Sequence, residues 1–331
     1  MERLQALEIW LKRIFPEGGF SLAPASADAS FRRYFRVRLP GRSCIVMDAP
    51  PEKEDCRPYV HVARLFGAAG VHVPEILEQD LAQGFLLLSD LESTTYLQAL
   101  DGSTADDLYR DALDALIRIQ LASRAGELPE YDRQLLLREM RLFPDWYAGR
   151  HCPPGLSTSQ LERLESLFDL VLRNNLAQPR VFVHRDYHSR NLMVTSPNPG
   201  ILDFQDAVYG PITYDLVSLF KDAYVRWDEE RILDWTIRYW EKARHVGLPV
   251  AADFAEFYRD FEWMGVQRHI KVLGIFARLF HRDGKEGYLK DMPLVMDYLR
   301  RACERYAALS PMLGLLDALE GAPEIRVGYT F

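Results

Sequence analysis

The sequence predicts an α+β protein with a small, mainly β N-terminal part and a larger helical C-terminal part. Three observations carry this: alternating and short apolar runs confined to residues 20–91, helical periodicity over most of the rest, and one polar interruption at 180–206. The chain has 331 residues, 48% hydrophobic and 27% charged, which supplies apolar mass for a large core and length for two or three domains. Disorder and fibrous folds are excluded on composition.

At the N-terminus, Met1 to Lys12 interleaves charged and apolar residues as an amphipathic helix does, unlike the unbroken apolar stretch of a signal peptide. Ala25 to Ser30 are small, turn-forming residues and read as a hairpin tip. Beyond them Phe31, Arg33, Phe35, Val37 and Leu39 alternate with Arg32, Tyr34, Arg36 and Arg38, a strand signal, and short apolar runs follow at 44–47, 73–77 and 85–88. Between Asp55 and Ala69 the pattern turns helical, with Val60, Ala63, Leu65 and Phe66, and Gly70 ends it. After Asp90 helices dominate, as in Leu108, Ala112, Leu116 and Ile119, and again in Leu164, Leu167, Phe168 and Val171.

Charge and cysteine usage narrow the classes further. Lys plus Arg number 40 against 48 Asp plus Glu, a net charge of −8, so no global positive field exists to hold nucleic acid. The four cysteines form no Cys-x-x-Cys motif and are too few to staple a chain of this size, which predicts reduced thiols. No apolar run approaches the roughly 20 residues that cross a bilayer. These features predict a soluble cytoplasmic protein with no membrane or nucleic-acid partner.

The interruption at 180–206 carries the chemistry. Val181-Phe182-Val183 and Ile201-Leu202 read as short buried strands around His184-Arg185-Asp186-Tyr187-His188-Ser189-Arg190-Asn191, which fits the catalytic-loop pattern H-R-D-x-x-x-x-N at every fixed position, and Asp203-Phe204 follows. Phosphoryl transfer requires one carboxylate beside the attacking hydroxyl and hard oxygen ligands for Mg²⁺. Asp186 suits the first role; Asn191 and Asp203 suit the second. His184 is expected to fix the loop through backbone hydrogen bonds. A rival reading takes His184-x-Asp186-x-His188 as three ligands of a metal-dependent hydrolase, although the remaining histidines are scattered singly.

These residues make the chain resemble the aminoglycoside phosphotransferase family, small-molecule kinases that share the two-lobed protein-kinase architecture. Ser30-Phe31-Arg32-Arg33-Tyr34-Phe35 resembles that family's nucleotide-loop hairpin, Leu87-Leu88-Ser89-Asp90-Leu91 its adenine-binding hinge, and Gly210 to Leu216 its segment after the metal aspartate. The resemblance implies a nucleotide-binding lobe over residues 1–89, with Ser30, Arg32, Arg33, Ser89, Asp90 and Leu91 at the nucleotide, and a catalytic and acceptor-binding lobe over 90–331. It further implies ATP and Mg²⁺. Protein kinases fit less well: there is no Gly-x-Gly-x-x-Gly loop, and Gln205 replaces the glycine of Asp-Phe-Gly.

More narrowly, Ser43 to Pro51 and Trp263 to Lys271 resemble the bacterial anomeric amino-sugar kinases of cell-wall recycling. That likeness implies phosphorylation of the C1 hydroxyl of N-acetylmuramate and N-acetylglucosamine, with the 1-phosphate passed to a nucleotidyltransferase and a monomer as the favoured state.

One departure needs a physical account. Met47 stands about where the broader family presents a lysine to the phosphates, and no glutamate lies between Cys56 and Ala69 to partner one, so the ion pair is missing as a unit. Arg33 or Arg32, with Lys53 behind them, is the proposed replacement; exposed edge-strand charges are the alternative. In the helix expected over 257–280, Gln267 lies among apolar residues, and Arg268, His269 and Lys271 make a basic stripe that would repel a polycationic antibiotic and attract a carboxylate. Trp263, Gln267 and Arg268 are the proposed acceptor residues, with core packing for Trp263 and a solvated helix face for the stripe as the bland alternatives. Two further readings stay open: another kinase of the family acting on an antibiotic or amino alcohol, and an inactive nucleotide-binding scaffold.

Overall fold

The structure, a computed structural model, describes residues 2–27 and 31–320. In chain order it comprises α1 (Glu2–Ile14), β1 (Ser21–Ala27), β2 (Arg33–Leu39), β3 (Arg42–Asp48), α2 (Arg57–Ala68), β4 (Ile76–Asp80), β5 (Phe85–Ser89), α3 (Tyr96–Ala99), α4 (Ala105–Leu121) and α5 (Arg133–Met140). A π-helical segment at Phe143–His151 follows, then α6 (Thr158–Ala177), β6 (Arg180–Val183), β7 (Leu192–Met193), β8 (Gly200–Ile201), β9 (Val208–Pro211), α7 (Tyr214–Phe220), α8 (Glu229–His245), α9 (Phe254–Asp283), α10 (Met292–Arg305) and α11 (Pro311–Glu320). The mainly β N-terminal region and larger helical C-terminal region match the sequence-based expectation. No described helix is long and apolar enough to cross a membrane.

By backbone contacts the chain forms two compact units, Met1–Ala122 with Arg190–Ala207, and Ser123–Ser189 with Val208 onward. The division expected at 89/90 therefore falls inside the first unit. Local hydrogen bonding explains this: the Val194 N–H donates to the Thr94 carbonyl and the Ile201 N–H to that of His72, each at 2.8 Å. The Asn198 amide donates to Tyr96 OH at 2.9 Å and to Asp111 at 2.7 Å.

In the first unit a five-stranded antiparallel sheet runs in the order β1-β2-β3-β5-β4. Alternation sends Val37, Cys44, Val46, Phe85 and Leu87 to one face, where Leu7, Trp10 and Leu11 of α1 close over them. Each such buried large apolar side chain contributes about 2 kcal/mol. Asp48 also lies on this face and is fully buried. Its carboxylate takes Arg3 of α1, at 2.5 Å, and Arg33, its direct cross-strand partner. Two guanidiniums thus offset the desolvation of one carboxylate and tie α1 to the sheet. Met47, one residue earlier, is buried on the opposite face between Tyr34 and Leu86.

Helix α9, 30 residues long, is the spine of the second unit. Asp253 caps its N-terminus by accepting from the Ala255 and Glu256 N–H groups, and Gly284, at φ 66°, ends it in the left-handed conformation that glycine adopts freely. At Gly274 the helix passes so close to the π-helical segment that an added Cβ would sit 2.4 Å from the Leu142 carbonyl carbon and 2.6 Å from the Phe143 nitrogen. Neither backbone atom can rotate away. Gly274→Ala should lower stability by about 2 to 3 kcal/mol, read as a shifted midpoint in urea unfolding; an unchanged midpoint would mean that the contact is slack.

Candidate active site

The central loop begins in the second unit, where β6 pairs antiparallel with β9 in the register Val183↔Val208. The expected strand at Val181 to Val183 forms, but its partner is β9 and not the strand at Ile201. On leaving β6 the backbone turns under one buried carboxylate. Asp215 Oδ2 accepts the His184 N–H at 2.7 Å and Asp215 Oδ1 the Arg185 N–H at 3.0 Å. His184 is fully buried, and its Nδ1 accepts the Asp186 N–H at 3.2 Å, which leaves the ring proton on Nε2. His184 is thus tied into the loop through its own N–H and through its ring. No three His, Cys, Asp or Glu side chains among the described residues converge as metal ligands.

Arg185 holds φ at 76°, a left-handed conformation costly for a bulky residue, and its surroundings over-determine it. Its carbonyl accepts from Ser218 Oγ at 3.3 Å, while its guanidinium pairs with Glu139. Glu139 is buried and also receives Tyr131 OH, Gln267 Nε2 at 3.4 Å and Lys271 Nζ at 3.1 Å. Burial alone would raise the Glu139 carboxyl; Lys271 and Arg185 outweigh it and hold the group below its ordinary range.

Asp186 follows the same logic. Burial pushes its carboxyl up, but the charges of Lys271, His188, Arg185 and Arg268 prevail and bring it down to about 2. A depressed carboxyl contributes stability above its unfolded value, near 3.9, and loses that contribution as pH falls toward about 2. Asp186 is therefore an anion throughout the neutral range. Asp215 moves the other way, to about 7: burial raises it, the two loop N–H groups oppose this, and the neighbouring Asp186 charge adds to it.

In the first unit a short hairpin positions the two expected metal ligands. β7 pairs with β8 in the register Leu192↔Ile201, and the next rung is the Leu202 N–H donating to the Asn191 carbonyl at 2.9 Å. Asn191 and Asp203 thus flank the open end of one two-stranded ladder. Asp203 adopts φ 62°, a region that aspartate tolerates better than most residues, and Phe204 is buried against Tyr59 and Phe66 of α2. A carboxylate and a carboxamide are the hard oxygen donors that suit Mg²⁺.

The expected nucleotide residues separate. Adjacent residues point to opposite faces, so Arg33 is committed to Asp48 while Arg32 lies 3.6 Å from Asp203. This corrects the expectation that Arg33 is available to phosphates. Asp90 is engaged by Arg36 at 2.7 Å and Ser43 Oγ at 2.6 Å, Ser89 Oγ accepts the Glu75 N–H at 2.8 Å, and Leu91 is buried. The side chains of Ser89 and Asp90 thus hold the segment in place. Ser30 lies outside the described residues.

On α9, Trp263, Gln267 and Arg268 are all buried. Trp263 packs edge-on to Tyr306. Trp263 Nε1, Gln267 Oε1 and Arg268 Nη1 have no hydrogen-bond partner among the described residues. The expected basic stripe needs correction. Lys271 is neutralised by Glu139, and His269 is kept neutral first by burial and then by the Lys221 and Arg268 charges. Arg268 is the cation of the three without a carboxylate ion-pair partner among the described residues. Glu139 carries no sequence signal, since an acid in a short helix looks like solvated surface until its burial is seen, and Lys271, expected in the carboxylate-attracting stripe, is instead its ion-pair partner.

The His184-to-Asn191 pattern and a mainly β region followed by a larger helical one are what a phosphotransferase of the kinase-like fold presents. The profile of the Phosphotransferase enzyme family matches residues 21–254, and the chain belongs to that family. It is 51% identical to the N-acetylmuramate/N-acetylglucosamine kinase of Neisseria meningitidis serogroup B, with 100% of both chains covered. To the enzyme of that name from Pseudomonas aeruginosa it is 52% identical over 97% of this chain and 98% of the relative. Among solved structures, choline kinase LicA from Streptococcus pneumoniae superimposes with a TM-score of 0.62 at 12% identity, covering 93% of this chain and 99% of that one. ADP-bound aminoglycoside phosphotransferase APH(2'')-Ib gives 0.59 at 16% identity, over 89% and 98%. At such identities the structural likeness shows the fold.

Asp215→Ala would leave the buried His184 and Arg185 N–H groups without an acceptor, at about 1–3 kcal/mol per donor. Stability should fall by about 2 to 4 kcal/mol in denaturant unfolding, with Asp215→Asn, which keeps one acceptor oxygen, falling less. Equal losses in the two variants would show that the N–H contacts are not what holds the loop.

Proposed function

We propose that the chain is a sugar kinase that uses ATP and Mg²⁺ to phosphorylate the anomeric C1 hydroxyl of N-acetylmuramate and N-acetylglucosamine. The observation that carries this reading is full-length identity of about half to relatives that bear those substrates in their names, together with an intact Asp186, Asn191 and Asp203. Intact catalytic positions also argue against an inactive scaffold.

Asp186 is the group that accepts the C1 hydroxyl's hydrogen bond and aligns its oxygen with the γ-phosphorus. With a carboxyl held to about 2 it is a weak base. That suits a loose transition state, in which the phosphoryl group leaves ADP before much charge builds on the attacking oxygen. A lactol hydroxyl is more acidic than an ordinary alcohol, and its proton passes to Asp186 late. Asn191 and Asp203 would hold Mg²⁺, which neutralises phosphate charge when bound. Buried Trp263 Nε1 and Gln267 Oε1 supply a donor and an acceptor for the sugar's hydroxyl and acetamido groups, and Arg268 a cation for the lactyl carboxylate of N-acetylmuramate. The 1-phosphate product is the form that a nucleotidyltransferase takes to make a UDP-sugar, consistent with a cytoplasmic role in peptidoglycan recycling.

Incubation with Mg-ATP and an amino-sugar panel should release ADP while the sugar's reducing end disappears. Asp186→Asn should reduce kcat about 10²- to 10⁴-fold. ADP release with the reducing end intact would defeat the anomeric assignment. Separately, Arg268→Gln should raise KM for N-acetylmuramate roughly tenfold, the equivalent of one charge-assisted hydrogen bond, and leave that for N-acetylglucosamine nearly unchanged; parallel changes for both sugars would remove Arg268 from carboxylate recognition.

A further inference from the structure

We propose that Arg32 stands in for the absent strand lysine and, until a nucleotide arrives, closes the metal site by pairing with Asp203, so that metal binding depends on nucleotide binding. The inference rests on the phosphotransfer reading above and extends it to the order of binding. Its starting point is the face of the sheet. Arg33 and Asp48 pair on the α1 face, whereas Met47 and Tyr34 lie on the other; Arg32 immediately precedes the strand and reaches toward Asp203 instead of Asp48. There its Nη2 lies 3.6 Å from Asp203 Oδ1, with the arginine side chain only 13% exposed.

The same Oδ1 accepts from Gln205 Nε2 at 2.8 Å. Gln205 occupies the third position of Asp203-Phe204-Gln205, is itself buried, and its Oε1 has no hydrogen-bond partner among the described residues. One carboxylate oxygen is therefore held by a guanidinium and an amide donor, while an amide oxygen beside it stays unsatisfied. A divalent cation approaching that oxygen meets a positive charge, which opposes it, and competes with two donors. A nucleotide changes the balance. Its phosphates carry several negative charges and bind a guanidinium through bidentate hydrogen bonds, against one partly exposed carboxylate at ion-pair distance. Withdrawal of Arg32 toward the phosphates exposes Asp203 Oδ1 to the metal, and the Gln205 amide can reverse to present its oxygen.

Mn²⁺ binding, followed by the electron paramagnetic resonance of the free ion, tests this with and without the non-hydrolysable analogue AMP-PNP. An exposed-to-intermediate ion pair of this kind limits affinity only modestly, so Arg32→Gln should bind Mn²⁺ alone roughly two- to fivefold more tightly than the wild type. The same variant should bind AMP-PNP roughly tenfold or more weakly, having lost a charge-assisted contact. Arg32→Lys, which keeps the charge without the planar fork, should fall between the two on both measurements, and it provides the comparison if Arg32→Gln fails to fold by circular dichroism. The proposal is overturned if neither variant binds Mn²⁺ alone more tightly, or if AMP-PNP affinity is unchanged. Failure of the wild type to phosphorylate any amino sugar, with these binding shifts intact, would instead overturn the acceptor reading and leave the metal latch standing.

Discussion

The catalytic segment depends on one carboxylate placed beneath two consecutive backbone N–H groups. Asp215, on α7, collects the donors of His184 and Arg185 at the point where β6 ends and no strand partner remains for them. Without an acceptor there the backbone could not turn sharply enough to hold Arg185 at a left-handed φ, and Asp186 would not be presented at a fixed place. The side chains complete the clamp: His184 Nδ1 takes the Asp186 N–H, and Glu139 takes the Arg185 guanidinium. Strain at Arg185 is thus met from three directions by buried polar partners.

That clamp also sets the electrostatics. Asp186 and Asp215 are neighbours with opposite displacements, one to about 2 and the other to about 7. Both are buried enough to be raised; what separates them is access to cations. Asp186 feels Lys271, His188, Arg185 and Arg268, whereas Asp215 has two neutral backbone donors and Arg268 in its favour and the charge of Asp186 against it. The loop thereby keeps Asp186 ionised and leaves the harder-to-ionise carboxyl, Asp215, at the position that holds the backbone.

Sequence legibility follows the range of each interaction. The His184 to Asn191 loop was readable because all its fixed positions lie within eight residues, and the strands at Val181 and Ile201 because short apolar runs announce them. Their partners were not readable, since β6 pairs with β9 and β8 with β7, choices that depend on distant packing. The same limit hid the fate of Arg33. Its commitment to Asp48 requires the β2–β3 register, and a one-residue slip would have placed Arg32 there instead. Glu139 lies 46 residues before Arg185 and 128 before Gln267, so nothing local marks it as the hub of a buried charge cluster. The π-helical segment had no local sequence signal, and the close pass of Gly274 against its first residues is a contact between stretches about 130 residues apart.

A net charge of −8 describes none of this, because the interior arranges charge in compensated sets. Asp48 has Arg3 and Arg33; Glu139 has Arg185 and Lys271; Glu262 has Lys221 and Arg305. Burying an ion is tolerable only when partners restore what water gave it. By that standard the residues that stand out are the ones whose compensation is incomplete in the protein alone. Arg268 is buried with an Nη1 that has no hydrogen-bond partner among the described residues, while Asp203 Oδ1 is shared between a guanidinium at 3.6 Å and the Gln205 amide at 2.8 Å. Under the proposed reading an anionic acceptor would complete Arg268, and a divalent cation would compete with Arg32 for Asp203 Oδ1. The chain's own charge balance therefore points to the ligands that complete it.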